Sequence, residues 1–137
     1  MKRALVFAIA LFVAFIATSS AASYTDRDVE FLAKTVWGEA RGCAPEEQRL
    51  VVWTALQRVD AGYGDTIEAV LTAPRQFPGY RKKNPVCPEI YALCEAEAEK
   101  WAQGEEPPTM EPYAPATPYF YFDGRRGHNW FRGAWKQ

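Results

Sequence analysis

The chain has 137 residues with 16 basic and 17 acidic side chains, a formal net charge of −1, and 15% aromatic residues. A balance this near neutrality leaves no electrostatic footprint for nucleic acid or another long polyanion. The length allows one domain with a core of its own but not two. Lys2 and Arg3, the apolar run over residues 4–17 and the small residues over 18–22 have the layout of a secretory signal peptide. That layout predicts an exported chain of residues 23–137, secreted or held in the periplasm or cell wall, with an uncleaved membrane anchor as the competing reading. Export suits the three cysteines, Cys43, Cys87 and Cys94, of which one pair can bridge and one thiol remains. Cys87 to Cys94 closes a short loop and is the first pairing to expect. One histidine and no Cys-x-x-Cys argue against zinc.

Thr25 or Asp26 caps a first helix that carries Val29, Leu32, Ala33, Val36 and Ala40 at helical spacing and ends near Gly42. Pro45 opens a second, with Glu46 and Glu47 at its positive end. Its middle, from Leu50 through Val51, Val52, Trp53, Ala55 and Leu56 to Val59, is apolar nearly all round, which marks a buried central helix stopped by Gly62 or Gly64. Asp65 reads as the cap of a short helix over residues 66–72, broken by Pro74. A Pro-, Gly- and base-rich loop over residues 74–86 follows. Pro88 then opens a third long helix that runs past Trp101 to about Gly104. Five prolines over residues 105–118 exclude regular structure. Tyr119-Phe120-Tyr121-Phe122 and His128-Asn129-Trp130-Phe131, either side of Asp123-Gly124-Arg125-Arg126-Gly127, read as two strands around a turn. So small a hairpin must dock on the helices. The fold class is α+β, mostly α. Five Trp and seven Tyr are more than such a core easily buries, so some should line a groove.

Glu39 lies on the flank of the stripe made by Leu32, Val36 and Ala40, half drawn into the core. Burial beside Trp37 would favour the protonated form that a general acid needs. Gly38, just before it, costs roughly 1 kcal/mol of helix stability relative to alanine, and such a glycine often marks close approach by another backbone or a ligand. Pattern alone leaves a second reading open, in which Glu39 is a solvated residue of the last turn and Gly38 a packing choice.

The segment Leu32-Ala33-Lys34-Thr35-Val36-Trp37-Gly38-Glu39-Ala40-Arg41-Gly42 resembles the opening motif of the SleB-type cell wall hydrolases, a family that includes spore cortex-lytic enzymes. Leu50-Val51-Val52-Trp53 with Gln57-Arg58-Val59 is similar to that family's second helix, and Gln76-Phe77 to its Gln-Phe segment. Tyr119 to Phe122 and Gly127-His128-Asn129-Trp130-Phe131 are similar to its closing hairpin. The chain departs from the pattern at Gln57, where Asn is usual, at Pro78, where a small polar residue is common, and at Trp130, often histidine.

The resemblance implies a small lysozyme-like domain in which one glutamate, here Glu39, is acid and then base. It implies cleavage between N-acetylmuramic acid and N-acetylglucosamine, commonly as a lytic transglycosylase, with no cofactor or metal. A hydrolytic muramidase or glucosaminidase and a non-catalytic peptidoglycan-binding module of the same fold are the alternatives. A hydrolase needs a second carboxylate across the scissile bond. Only Asp60 and Asp123 are tempting, and each more often serves a turn or a cap. In a transglycosylase the sugar's own 6-hydroxyl attacks, so one carboxylate suffices. Peptidoglycan strands are then the partner of a monomer that takes neither nucleic acid nor metal. Substrate contacts are expected from Arg41, which could hold a carboxylate of muramic acid or its peptide stem, although a helix-end arginine is usually solvated. Gln76 and Tyr121 could bond sugar hydroxyls or acetamido groups, and Phe77 or Trp130 could stack on a ring. His128 and Asn129 complete the set from the hairpin, His128 through an orienting hydrogen bond or a structural place.

Overall fold

The computed structural model describes residues 22–134, so the leader expected over residues 1–22 lies outside the described residues except for Ala22. Four helices, α1 (Asp26–Ala40), α2 (Pro45–Asp60), α3 (Ile67–Thr72) and α4 (Pro88–Ala102), precede an antiparallel hairpin of β1 (Tyr121–Arg125) and β2 (His128–Arg132). This is the mostly helical α+β class that the pattern of the sequence predicts. No helix among the described residues is long and apolar enough to cross a membrane.

The helix limits follow from local chemistry. At the start of α1 the Thr25 hydroxyl accepts from Asp28 N, while the Asp28 carboxylate accepts from Thr25 N, a reciprocal capping box. The other Asp28 oxygen accepts from Glu68 N and so ties α1 to the first turn of α3. Thr66, not Asp65, caps α3, its hydroxyl accepting from Ala69 N. The last carbonyl of α1, Ala40 O, accepts from the buried Gln48 amide, which sets the corner between α1 and α2. Both α2 and α4 close with paired returning bonds: Gly62 N to Val59 O and Tyr63 N to Arg58 O in one, Gly104 N to Trp101 O and Glu105 N to Lys100 O in the other.

The apolar middle of α2 is buried as its sequence predicts, with every residue from Leu50 to Arg58 inside. It packs on α1, α3, α4 and β2, while α1 also packs on α3 and α4. One core holds Trp53, Leu32, Leu50, Leu56, Ile67, Leu71 and Tyr119, each less than 2% exposed. Trp53 donates its indole N–H to Glu97, a buried carboxylate of α4 that also pairs with Arg49 and Lys100.

The hairpin is offset from its expected position. Its strands run on through Asp123, Gly124 and Arg125, and the turn is the two-residue Arg126-Gly127, with φ of 51° and 81°. Positive φ at both positions is the turn whose twist suits a tight hairpin. At the other end Tyr119 leaves the strand because its backbone N–H and C=O both bond the Gln57 side chain in α2. Phe131 packs on Tyr119 and Phe122, and Phe122 on Phe77, which fixes the hairpin over the helices.

The Cys87 to Cys94 pairing is corrected. Cys87 caps α4 and Cys94 lies within it, seven residues along. At 1.5 Å rise per residue that is about 10 Å, against an upper limit of about 7 Å between bridged Cα atoms. All three cysteines are free thiols, and burial pushes the Cys94 thiol far above its usual range.

Glu47 is the second tie between α2 and the hairpin. Although placed in a first helical turn, it is only 3% exposed: Oε1 accepts from Asn129 N and contacts His128 Nδ1, and Oε2 accepts from Asn129 Nδ2. Glu47→Ala strands the buried Asn129 N–H and leaves Asn129 Nδ2 only its contact with Cys43 Sγ, so it should lower the unfolding free energy by about 1–3 kcal/mol. Urea unfolding measures this, and an unchanged midpoint would contradict the role.

Candidate active site

Glu39 is the penultimate residue of α1 and is half-buried, as its place on the flank of the apolar stripe predicts. Its surroundings are set by two glycines. A Cβ placed on Gly38 would lie 1.7 Å from Gly79 O, and one on Gly79 would lie 2.7 Å from the Glu39 carboxyl carbon and 2.8 Å from Gly38 C. The backbone of the loop therefore crosses α1 at contact distance, the close approach that Gly38 suggested. In that crossing Gly79 N donates to Glu39 Oε1 at 2.7 Å. Asn84 clamps it from the far side, its amide donating to Gly79 O at 2.9 Å and to Lys34 O at 3.0 Å.

The carboxylate faces a cavity of about 260 Å³ lined by Glu39, Arg58, Arg75, Gln76, Pro78, Tyr121 and Phe122. Helix α1, the loop after α3 and strand β1 thus each supply a wall. Arg58 forms the floor. Its guanidinium, buried near the end of α2, donates through Nε and Nη2 to Phe120 O and through Nη1 to both Gln76 O and Gln76 Oε1. Phe77, Tyr121 and Tyr63 lie within 4.6, 5.3 and 5.9 Å of it, ring centroid to carbon, an aromatic cage for the cation. Burial pulls its pKa down from the usual arginine range, while Tyr121, Tyr63 and Glu39 push it back. An arginine remains charged under such opposing influences. Arg58 thereby brings Gln76 and the start of β1 to the same place as Glu39.

Of the residues expected at the site, the fold brings together Glu39, Gln76 and Tyr121. The others lie elsewhere. Arg41 folds back along α1, donating to Trp37 O and lying over the Trp37 ring. Phe77 is buried beneath the cavity rather than exposed in it. Asn129 is committed to Glu47, His128 stacks on Tyr113 at 4.4 Å between ring centroids, and Trp130 packs edge-on against Tyr113. Those three form a separate patch with Cys43, whose thiol burial pushes up to about 12. Arg58, Arg75, Pro78 and Phe122 line the cavity without having been singled out. Arg58 did carry a signal: an arginine on an otherwise apolar buried helix persists only where it finds partners.

Neither candidate second carboxylate lines the Glu39 cavity. Asp60 receives the Trp101 indole N–H on both oxygens, and Asp123 pairs with Arg132 and Arg125. Among the described residues no group of three or more His, Cys, Asp or Glu could hold a metal ion.

Fold and cavity together define a small helical α+β domain whose cavity is lined, among the described residues, by one acidic residue and two arginines. Comparison with protein-family models, with curated proteins and with solved structures gives no match.

The crossing at Gly38 predicts its own sensitivity. Gly38→Ala forces a methyl group onto a backbone oxygen that has nowhere to retreat, so stability should fall by roughly 1–3 kcal/mol or more. Denaturant unfolding reads the loss. Wild-type stability in this variant would show that the loop does not cross where described.

Proposed function

We propose that this chain cleaves peptidoglycan glycan strands between N-acetylmuramic acid and N-acetylglucosamine, as a lytic transglycosylase with Glu39 as the single acid/base. The observation that supports the reading is that, among the described residues, Glu39 is the lone carboxylate lining the cavity, with Asp60 and Asp123 bonded elsewhere. The resemblance of residues 32–42 to the opening motif of SleB-type cell wall hydrolases supplies the substrate class. Export, expected from the N-terminal pattern, would deliver the enzyme to the wall.

One carboxylate suffices if the nucleophile belongs to the substrate. Glu39 gives its proton to the glycosidic oxygen as the bond from muramic acid C1 breaks, freeing the 4-hydroxyl of N-acetylglucosamine. The C6 hydroxyl of the muramic acid then bonds C1 and returns its proton to Glu39, closing a 1,6-anhydro ring and restoring the acid. The Gly79 N–H on Oε1 fixes the rotation of the carboxyl group and leaves Oε2 for the glycosidic oxygen. Developing positive charge on the sugar ring is faced by the carboxylate once it has given up its proton. Gln76 and Tyr121 stand where sugar hydroxyl or acetamido groups would lie, and Phe122 offers a ring edge or face.

Glu39→Gln keeps size and the Gly79 contact but cannot supply a proton. Release of muropeptides from purified sacculi should fall by about 10²–10⁴-fold while the melting curve stays in place. Undiminished release by a folded Glu39→Gln protein would remove Glu39 from the chemistry.

A further inference from the structure

Arg75 is the residue of the cavity whose presence the fold does not explain. It stands at φ 64°, the left-handed region that costs side chains other than glycine, asparagine and aspartate conformational energy. A turn sets that φ, closed over Pro74 and Arg75 by Gln76 N donating to Ala73 O, and glycine is the ordinary occupant of such a place. Its side chain is exposed and makes no hydrogen bond or ion pair among the described residues, so no polar contact of the fold accounts for an arginine there. Yet Arg75 is one of the residues that line the Glu39 cavity. Arg58, the other cation there, has its donors committed to Phe120 O and Gln76. The open donors are those of Arg75. Among the described residues Glu39 is the only acidic one lining the cavity, against these two arginines. The surrounding segment deepens the asymmetry: residues 69–88 contain Arg75, Arg81, Lys82 and Lys83 and no Asp or Glu, in a chain whose net charge is −1. A planar fork of N–H donors with no internal partner, in a positive rim, matches a carboxylate two oxygens at a time.

We propose that Arg75 is a specificity-determining residue that holds a substrate carboxylate at the mouth of the Glu39 cavity. The proposal rests on the glycan-cleaving reading and adds that the strand is recognised by an acidic group near the bond that breaks. Two sources share that chemistry, the lactyl group of muramic acid and the peptide stem. It accounts for an arginine where the backbone favours glycine, and it places carboxylate recognition in the loop after α3 rather than at Arg41.

The test compares wild type, Arg75→Gly and Arg75→Lys on three glycan strands: stem-bearing strands, strands stripped of stems to free the lactyl carboxylate, and stripped strands with that carboxylate methyl-esterified. Arg75→Gly should melt with the wild type, since glycine accepts the local φ. It should lose about tenfold or more in kcat/KM, through KM, on a strand bearing the recognised carboxylate. On esterified strands its kcat/KM should equal that of the wild type. Arg75→Lys, which keeps the charge but not the fork, should recover part of the loss. Loss on stripped strands identifies the lactyl group, and loss confined to stem-bearing strands identifies the stem. Wild-type rates for Arg75→Gly on all three strands, or an equal loss on esterified strands, would overturn the role of Arg75 and leave the glycan-cleaving reading standing. If the wild type cleaves none of the three, that reading fails and the role of Arg75 falls with it.

Discussion

The backbone of residue 79 crosses α1 against Gly38, and the site depends on that contact. Two glycines meet there because no side chain fits: the oxygen of one residue occupies the space of the other's Cβ. The crossing aims the Gly79 N–H at Glu39 Oε1 and so turns a carboxylate near the end of a helix toward a cavity instead of into bulk water. Asn84 holds the loop in place through bonds to Gly79 O and Lys34 O. A glycine inside α1 costs helix propensity, and the local loss is offset by a contact that only glycine permits. The same residue therefore weakens its own helix and builds the wall opposite the carboxylate.

The second wall is held by three polar side chains of α2. Gln57 bonds both backbone groups of Tyr119, Arg58 bonds Phe120 O and Gln76, and Glu47 bonds the start of β2. Polar groups this deeply buried are tolerable only when their donors and acceptors are matched, and here they are matched to backbone. A two-stranded hairpin has little stability of its own, so these bonds and the Phe77, Phe122, Phe131 and Tyr119 rings decide where it rests. Tyr121 and Phe122 reach the cavity as a consequence.

Much of the helical architecture was legible because its signals are local. Thr25, Pro45, Pro88 and the stripes behind them predict three of the four helices almost to the residue, and the apolar girth of α2 predicts its burial. The half-buried place of Glu39 follows from the same periodicity, and the close approach at Gly38 is one of the two readings open to a glycine inside a helix. What local pattern could not supply is which distant segment arrives. Gln76 and Tyr121 join Glu39 because Arg58 draws both segments in, whereas His128, Asn129 and Trp130, similar in kind, are claimed by Glu47 and Tyr113. Glu47 itself reads as a solvated first-turn acid until the hairpin covers it. The hairpin turn is misplaced by sequence reasoning because Gly124 competes with Gly127, and the choice rests on Arg126 accepting a positive φ. Cys87 and Cys94 are near in sequence, but the straightness of α4 keeps them apart.

On the proposed glycan-cleaving reading, a cavity with one carboxylate and no second acid among its described lining residues constrains the chemistry more than the identity of any sugar contact does. Water attack would need a base on the opposite face of the ring, and the two aspartates that could have served are held by Trp101 and by Arg132 and Arg125. Internal attack by the sugar's 6-hydroxyl needs only the group that is there. Digestion of purified peptidoglycan in heavy-oxygen water, followed by mass spectrometry of the fragments, decides between them. The single-glutamate account predicts anhydro-muropeptides that carry no heavy oxygen at the cleaved end. Reducing ends labelled with solvent oxygen would contradict it.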